Sequence, residues 1–500
     1  ELVPSRVDRL VHELLEIGLR VVRRHRDRVR RGRPRLGDGR HRGTTARDPE
    51  SHEGEDFRVH GESFTRSPAE QLPERRVLGH HGRVPPLDEA SPRELPERTY
   101  ARFAHALEGV ARPYAFIDED ALDRNIDLLL GVATAHGKPL RVATKSIRCP
   151  DVLGRIHARA TERLLPAVTF MTYTARETAL LAGLGLDHFL LAYPVASRAD
   201  ADVLAGLAKK GTRVSVVVDD PHHLSVLSAA AEHAGATLDV IVEVDMAYRP
   251  VGSAVHLGVR RSPLRTIPDV LAFVSRIERT RHLGFAGIMG YEAQIAGVGD
   301  AIDNDRARST VVRALRSLSR RDVETTRKAL VDALVSRGSP PRIVNGGGTG
   351  NLAWCAREPT LTETTAGSGF LCGHLFDRYR DLKPEPCAYF ALDVVRHPAP
   401  GIVTCAGGGF VASGPAGDDR LPIPALPRGL SLLPLEGAGE VQTPLRAPRG
   451  GEPRIGSPVF FRHAKAGELA EHFTEYGLVS GRTLTGSAKT YRGLGHTFLG

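Results

Sequence analysis

Eight short runs of apolar and β-branched residues alternate with helical stretches through the middle of this 500-residue chain. The alternation restricts the possible folds, because strands separated by helices tend to pair in parallel. Four helical stretches carry Leu and Ala at helical spacing: Pro150–Arg163, Ser197–Lys209, Pro221–Ala234 and Ile267–Arg281. The strand-like runs are Arg141–Lys145, Val168–Tyr173, Phe189–Tyr193, Arg213–Val218, Leu238–Asp245, Phe285–Tyr291, Arg342–Asn345 and Glu363–Ala366. Eight β/α repeats predict an α/β fold with a closed, TIM-like (βα)8 barrel.

The alternation stops after about residue 380. Strand-like runs separated by Gly and Pro turns follow, at Tyr389–Val395, Ile402–Cys405 and Val459–Arg462. We therefore predict the barrel over residues 96–380 and a smaller, mostly β domain over residues 381–500. The remaining segment, residues 1–95, is expected to lie outside both.

That N-terminal segment is rich in Arg, His, Gly and Pro. Its first fifty residues hold fourteen arginines against eight acidic residues, so +6 of the net charge of +9 lies there. The composition and the start at Glu1 predict a segment that is either disordered or not part of the native protein. The rest of the chain is nearly balanced in charge, so we expect no nucleic-acid partner.

The overall composition is that of a soluble globular protein, with 41% hydrophobic and 25% charged residues. No apolar run approaches the ~18 residues of a membrane span, and we expect no membrane partner. The five cysteines are scattered and form no CxxC pair. This spacing favours a reducing compartment and predicts a cytoplasmic protein.

Lys145 ends the first strand-like run, where the active sites of parallel barrels are found. An amine in that position can bind an aldehyde, which suggests a Schiff base with pyridoxal phosphate. Glycine-rich segments at Val344–Gly350 and Ala366–Gly369 follow later strands, and backbone amides in such loops can hold a phosphate. These features together predict a pyridoxal phosphate site at the carboxyl ends of the strands.

The chain from about residue 113 to residue 498 resembles the fold-type III pyridoxal phosphate enzymes, which combine an alanine racemase-like barrel with a β domain. Within that class it is most similar to the D-threonine aldolase and D-serine dehydratase branch, including bacterial proteins labelled amino acid deaminase/aldolase. The segments that carry the resemblance are Val142–Ser146, Val244–Gly252, Gly290–Gln294, Asn345–Gly350 and His463–Glu468.

The resemblance implies roles for individual residues. Lys145 would form the internal aldimine with pyridoxal phosphate and later act as the base at the substrate α-carbon. Arg249 would lie close to the cofactor, and Tyr291 and Gln294 would contact its ring or the substrate. The phosphate would be held by Gly347, Gly348, Thr349, Gly367 and Ser368.

The same branch uses a divalent metal, zinc or manganese, held by a histidine and a second ligand two residues later. The corresponding residues here are His463 and Lys465. A lysine ammonium is a poor metal ligand, which places the metal in doubt. We therefore hypothesise that the Lys465 ammonium stands where relatives hold the metal and polarises the substrate hydroxyl.

The resemblance implies a lyase for a β-hydroxy amino acid, and we expect the D-enantiomer. Lys145 would be joined in catalysis by Tyr291, His463 or Lys465, with either elimination of the hydroxyl or retro-aldol cleavage. An amino acid racemase and a non-catalytic pyridoxal phosphate protein remain alternatives. We expect a homodimer, since enzymes of this kind complete the site at a dimer interface. Sequence alone leaves the substrate and its chirality open.

Overall fold

The computed structural model describes residues 94–166, 168–252, 255–301, 306–465 and 467–499. The prediction of a disordered or non-native segment over residues 1–95 lies outside these ranges, except for its last two residues. Within the described ranges, no helix is both long enough and apolar enough to cross a bilayer.

The described ranges contain the following strands and α-helices. The strands are β1 (Tyr114–Asp118), β2 (Leu140–Ala143), β3 (Thr169–Thr172), β4 (Phe189–Leu191), β5 (Val214–Val218), β6 (Leu238–Glu243), β7 (Leu283–Gly290), β8 (Ile343–Gly346), β9 (Glu363–Ala366), β10 (Ala388–Ala399), β11 (Ile402–Ala406), β12 (Ile423–Leu426), β13 (Ser431–Leu432), β14 (Gln442–Arg446), β15 (Pro458–Arg462), β16 (Glu475–Ser480) and β17 (Thr483–Lys489). The α-helices are α1 (Pro96–Ala106), α2 (Glu119–Thr134), α3 (Pro150–Glu162), α4 (Ala175–Gly183), α5 (Arg198–Lys209), α6 (Pro221–Ala234), α7 (Ile267–Glu278), α8 (Ala293–Ala296), α9 (Arg306–Ser336), α10 (Leu352–Arg357) and α11 (Ser368–Leu371).

Strands β2 to β9 form a closed barrel in which every neighbouring pair is parallel. The last strand returns to the first, with Leu140 opposite Thr364 and Val142 opposite Ala366. All eight predicted barrel strands are confirmed, and the four predicted helices match α3, α5, α6 and α7 within a few residues. The carboxyl ends of the eight strands therefore meet at one mouth of the barrel.

A second sheet contains the strands that follow the barrel in the chain. Its longest strand, β10, pairs antiparallel with β11 and β15, which confirms all three strand-like runs predicted beyond residue 380. The sheet also takes in β1, which pairs antiparallel with β10 and parallel with β16. Strand β1 falls within the range 96–380 that the sequence assigns to the barrel, yet it belongs to the other sheet.

The barrel interior is filled by a small apolar cluster drawn from β4 to β7. Ile241 belongs to this cluster, whereas its neighbours Val240 and Val242 belong to the larger core outside it. Because successive side chains of a strand point to opposite faces, Ile241 faces the barrel axis and its neighbours face the helices. Apolar residues therefore occupy both faces of these strands, as expected for a parallel sheet covered by helices.

Asp, Ser and Thr residues that follow or end the strands cap the N-termini of several helices. Their side-chain oxygens accept a hydrogen bond from an amide of the first turn, which would otherwise lack a partner. Pro occupies the first turn of α3, α6 and α7, where its missing N–H costs nothing. The capping residues are Asp118, Thr174, Ser197, Asp220 and Thr266.

A buried ion pair joins the first and last strands of the barrel. Arg141 on β2 donates to Glu363 on β9 through two nitrogens, at 2.6 and 2.8 Å, and both side chains are buried. Asn345 on β8 donates to the same carboxylate at 2.7 Å. Arg141 also donates to the carbonyl of Phe170 on β3, at 3.0 Å. One guanidinium thus links β2, β3 and β9 at the point where the barrel closes.

Candidate active site

A cavity of about 1070 Å³ opens at the carboxyl ends of the barrel strands. Its walls come from the turns that follow the strands and from loops of the second sheet. Among the residues predicted from sequence, Lys145, Tyr291, Gly347, Gly348, Thr349, Gly367, Ser368 and Lys465 line it. The structure therefore brings together the amine, both glycine loops and one residue from the second sheet.

Lys145 sits in a single 3-10 turn, Thr144–Ser146, directly after β2. Its Nζ donates a hydrogen bond to the Tyr193 hydroxyl at 2.9 Å. Tyr193 follows β4 and was not predicted as a site residue, although its place at the end of a predicted strand was a usable signal. The amine is therefore held in the cavity by a second ionisable group.

The backbone of Lys145 is fixed from two sides. Arg148 donates from Nε to the Lys145 carbonyl at 2.9 Å and pairs with Glu471 of the second sheet segment at 2.6 Å. Gly467 touches the same carbonyl so closely that any Cβ at that position would overlap it, and its φ is +92°. A glycine is therefore required where the loop after β15 packs against the lysine turn.

The glycine loop after β8 is held by side chains rather than left free. The amide of Gly347, whose φ is +94°, donates to Glu292 at 2.9 Å. The amide of Gly348 donates to the Asn351 side chain at 2.8 Å. Thr349 links this loop to the next one, because its hydroxyl accepts a hydrogen bond from the Gly369 amide at 3.0 Å.

The hydroxyls at this end of the cavity also meet one another. The Ser368 hydroxyl lies 3.2 Å from that of Ser146, next to Lys145. Gly367 packs against β2 so tightly that a Cβ would approach Ala143 and the Ser146 hydroxyl to 2.8 Å. The loop after β9 is therefore seated directly on the lysine turn, and it presents hydroxyl groups close to the amine.

Beneath the first glycine loop lies a buried charge network. Arg327 of α9 pairs with Glu292 and with Glu358, and the Arg327 side chain is fully buried. Asn351 donates to the Glu292 carboxylate at 3.3 Å. Because Glu292 also accepts from Gly347, the guanidinium of α9 fixes the position of a loop that lines the cavity.

Several arginines line the cavity, but the one that the sequence indicated is not among them. Arg249 pairs with Asp245, and it is not among the described residues that line the cavity. Arg261 lines it instead, with its Cζ 5.1 Å from the ring centre of Tyr291 and 5.9 Å from that of Tyr193. The chain between β6 and α7 folds back on itself and carries Arg261 to the barrel mouth.

Gln294 was predicted to contact the cofactor ring or the substrate, but its side chain makes other contacts. Its Nε2 donates to the carbonyl of Met246 at 2.7 Å and to the hydroxyl of Ser319 at 2.9 Å. Within the described ranges it is absent from the cavity wall. The structure therefore shows Gln294 holding the loop after β6, while Tyr291, three residues earlier, faces the cavity. Burial raises the pKa of Tyr291.

His463 and Lys465 lie two residues apart after β15 but differ in exposure. His463 is buried, and neither ring nitrogen has a hydrogen-bond partner of normal geometry among the described residues, although the Ala388 backbone faces the ring. Burial, together with the charges of Arg462 and His374, lowers the pKa of His463 to about 3. Lys465 is exposed, lines the cavity and donates to the Ser413 hydroxyl at 3.0 Å.

These two residues do not fit a divalent metal. His463 faces a recess of about 10 Å³ beside the large cavity, and Val411, Lys465, Glu468 and His472 line both. Two residues on, the chain offers an ammonium group, which repels a cation. Across the described ranges no group of three His, Cys, Asp or Glu side chains is arranged to hold a metal ion.

Glu177 lies beneath the lysine turn in a fully buried site. Its carboxylate accepts from the Tyr173 amide at 2.8 Å and from the Tyr491 hydroxyl at 2.8 Å. Burial raises the pKa of Glu177 to about 7, although hydrogen bonds from Thr144, Tyr173 and Tyr491 and the charge of Arg148 oppose the rise. A carboxyl group beside Thr144 therefore titrates near neutrality.

Comparison with known proteins gives a family and a fold. Residues 117–368 match the family model of the alanine racemase N-terminal domain. The 3-hydroxy-D-aspartate aldolase of Paracoccus denitrificans (strain Pd 1222) is 29% identical over 259 residues, which are 52% of this chain and 60% of that protein. The chain thus spans about 60% of the length of the curated relatives that it matches.

Two solved structures share the fold of this chain. The D-threonine aldolase from Filomicrobium marinum has a TM-score of 0.64 and 22% sequence identity, and the match covers 76% of this chain and 94% of that one. The D-threo-3-hydroxyaspartate dehydratase from Delftia sp. HT23 has a TM-score of 0.60 and 20% identity, with 77% and 98% covered. Both therefore have the barrel followed by the second sheet.

Replacement of Glu177 by Gln is expected to remove part of the pH dependence of stability. A carboxyl whose folded-state pKa is raised stabilises the fold most at low pH, and that stability is lost as the pH rises from about 4.3 to about 7. Between about pH 5 and pH 8, the wild type should lose about 2–3 kcal/mol more free energy of unfolding than E177Q. Urea unfolding at the two pH values measures this difference.

The exposed Glu97 on α1 provides the matched control. E97Q should follow the wild-type pH dependence, because an exposed carboxyl has nearly the same surroundings in the folded and unfolded chain. An E177Q protein with the same pH dependence as the wild type would show that Glu177 is already ionised in the folded protein at low pH.

Proposed function

The chain belongs to the family of the alanine racemase N-terminal domain, and on that premise we propose that it is a pyridoxal phosphate-dependent lyase for D-β-hydroxy amino acids. The observation that carries the proposal is the Lys145 amine in the cavity at the barrel mouth, beside two glycine loops. The names of the relatives support the substrate class, since they are a 3-hydroxy-D-aspartate aldolase, a D-threonine aldolase and a D-threo-3-hydroxyaspartate dehydratase.

The cavity residues fit pyridoxal phosphate. Lys145 supplies an amine for the aldehyde, and Arg261 and Tyr291 flank the space beside it. When bound, the cofactor supplies an electron-accepting ring that stabilises negative charge on the substrate carbon next to the amine. The loops after β8 and β9 would hold the phosphate through the hydroxyls of Thr349 and Ser368, which line the cavity. Gly347, Gly348 and Gly367 have no side chains, so a phosphate can approach the backbone closely there, although the Gly347 and Gly348 amides donate to Glu292 and Asn351.

A lyase for β-hydroxy amino acids needs one group that acts at the α-carbon and a second that acts at the hydroxyl. In elimination, the Lys145 amine takes the α-proton and a second group assists the departing hydroxyl. In retro-aldol cleavage, a base takes the hydroxyl proton before the Cα–Cβ bond breaks. We assign the second role to Tyr291 or Lys465, because both line the cavity, whereas His463 lines only the small recess beside it. Loops of the second sheet form part of the cavity wall around the amine.

The ammonium of Lys465 supplies the positive charge at the substrate hydroxyl that a metal ion would otherwise supply. It reaches the cavity from the loop after β15, and its one described hydrogen bond is to Ser413. A positive charge near the β-oxygen stabilises the negative charge that develops on it in either reaction. This assignment follows from the poor fit of His463 and Lys465 to a metal.

We further propose that the protein is a cytoplasmic homodimer. Three large apolar side chains at the cavity, Val298, Val411 and Leu499, are 40%, 52% and 67% exposed. Exposed apolar groups around a cavity favour coverage by a partner. All five cysteines are buried free thiols, which agrees with a reducing compartment. Sedimentation equilibrium should give twice the mass of one chain, and a monomer at micromolar concentration would contradict the dimer.

The cofactor and the reaction are tested together by spectroscopy and product analysis. The purified wild type should show an absorption band near ~420 nm that K145A lacks. With D-serine or D-threonine added, a keto acid and ammonia identify elimination, whereas glycine and an aldehyde identify retro-aldol cleavage. Absence of the band after addition of pyridoxal phosphate would overturn the proposal. Entry of solvent deuterium into both enantiomers without these products would indicate a racemase instead.

Lys465→Met is expected to lower kcat on the order of 10²-fold, because the charge at the substrate hydroxyl is lost while the stem remains. The cofactor band should not change. Lys383→Met is the control, since Lys383 is exposed and donates to the Asp377 carbonyl away from the cavity wall. Full activity of K465M, or stoichiometric zinc or manganese whose removal abolishes activity, would contradict the role given to Lys465.

A further inference from the structure

The Lys145 amine and the Tyr193 hydroxyl form a pair across the cavity wall. The two residues follow β2 and β4, which are separated in the barrel by β3. The distance from Nζ to the hydroxyl oxygen is 2.9 Å, and both groups line the cavity. The barrel therefore places an ionisable hydroxyl within proton-transfer distance of the amine that the proposed function requires.

Four groups near Tyr193 set the charge around its hydroxyl. Lys145 is the hydrogen-bonded cation, and Arg261 lies 5.9 Å from the ring centre. The buried Glu243 carboxyl is a nearby negative group and lies 3.8 Å from Arg261. Tyr291 is a further neighbour, and its hydroxyl is neutral. Burial alone would raise the pKa of Tyr193, but Lys145 and Arg261 lower it by more, so the pKa lies below its ordinary value.

The chemistry of Lys145 requires repeated changes of protonation. An ammonium cannot attack a carbonyl, so a proton must leave Nζ before a bond to an aldehyde forms. When Lys145 later acts as a base at the α-carbon, the same nitrogen must again be neutral first. A group that accepts and returns this proton therefore gives Lys145 a direct route between its charged and neutral forms.

We infer that Tyr193 is the proton partner of Lys145, an inference that rests on the proposed function. The Tyr193 hydroxyl first loses its proton to solvent, and the phenolate oxygen then takes one proton from the Lys145 ammonium, which leaves a neutral amine and a neutral phenol. The N–H bond breaks, the O–H bond forms, and no electrons are exchanged with any other group. The proton returns to Nζ by the reverse step when the amine is released.

Tyr173 offers a matched control in the same part of the fold. It follows β3, its hydroxyl is buried without a partner among the described residues, and it is absent from the described cavity wall. Y173F and Y193F therefore remove the same atom from neighbouring strand ends. Only Y193F removes a hydroxyl that contacts the Lys145 amine.

The test measures how fast pyridoxal phosphate loads onto the full-length protein after its removal with hydroxylamine. The growth of the band near ~420 nm gives the rate as a function of pH. Y193F should load about 100-fold more slowly than wild type near neutral pH, because Nζ must then lose its proton to solvent. The deficit should shrink as the pH rises, since hydroxide removes the proton directly. Y173F should follow the wild type at every pH.

A rate for Y193F that equals the wild-type rate at all pH values would overturn the inference. So would an equal deficit at all pH values, because a distorted site would not recover in base. Failure of the wild type itself to load would instead overturn the proposed function.

If Y193F does not fold, difluorotyrosine at position 193 keeps the ring and its hydroxyl but makes the phenol more acidic. It should shift the pH profile of loading to lower pH. An unchanged profile would contradict a proton shared between Tyr193 and Lys145.

Discussion

Closure of the eight-stranded barrel is the constraint on which the rest of this structure depends. The pairing of β2 with β9 brings the first strand end, which carries Lys145, next to the last, which carries Ser368. The buried pair of Arg141 and Glu363 lies across this seam. A buried ion pair stabilises a fold little beyond what apolar residues of similar volume would, but it strongly disfavours arrangements that leave one charge alone. The pair therefore favours a single register at the seam.

The same principle operates beneath the cavity. Arg327 comes from α9, a helix of 31 residues, and is compensated by Glu292 and Glu358. Glu292 in turn holds the Gly347 amide. A loop that lines the cavity is thus fixed by buried charge rather than by contacts with the ligand. Preorganisation of this kind reduces the cost of ordering the loop when a ligand binds.

The sequence predicts the fold better than the site. Strand and helix periods are local, so all eight barrel strands could be identified, and Lys145 and the glycine loops followed from their place at strand ends. Side-chain direction depends on tertiary packing instead. Arg249 turns to Asp245 while Arg261 enters the cavity, and Gln294 binds a backbone carbonyl. Strand β1 pairs with distant strands beyond residue 380, for which no local pattern exists.

The central claim is that Lys145 is the residue that binds the cofactor aldehyde. Borohydride reduction of the purified protein, followed by proteolysis and peptide mass spectrometry, tests it most directly. The account predicts a pyridoxyl group on the peptide that contains Lys145 and on no other lysine. A pyridoxyl group on Lys465 of the same cavity, or on the buried Lys138, would contradict it, and so would the absence of any modified peptide.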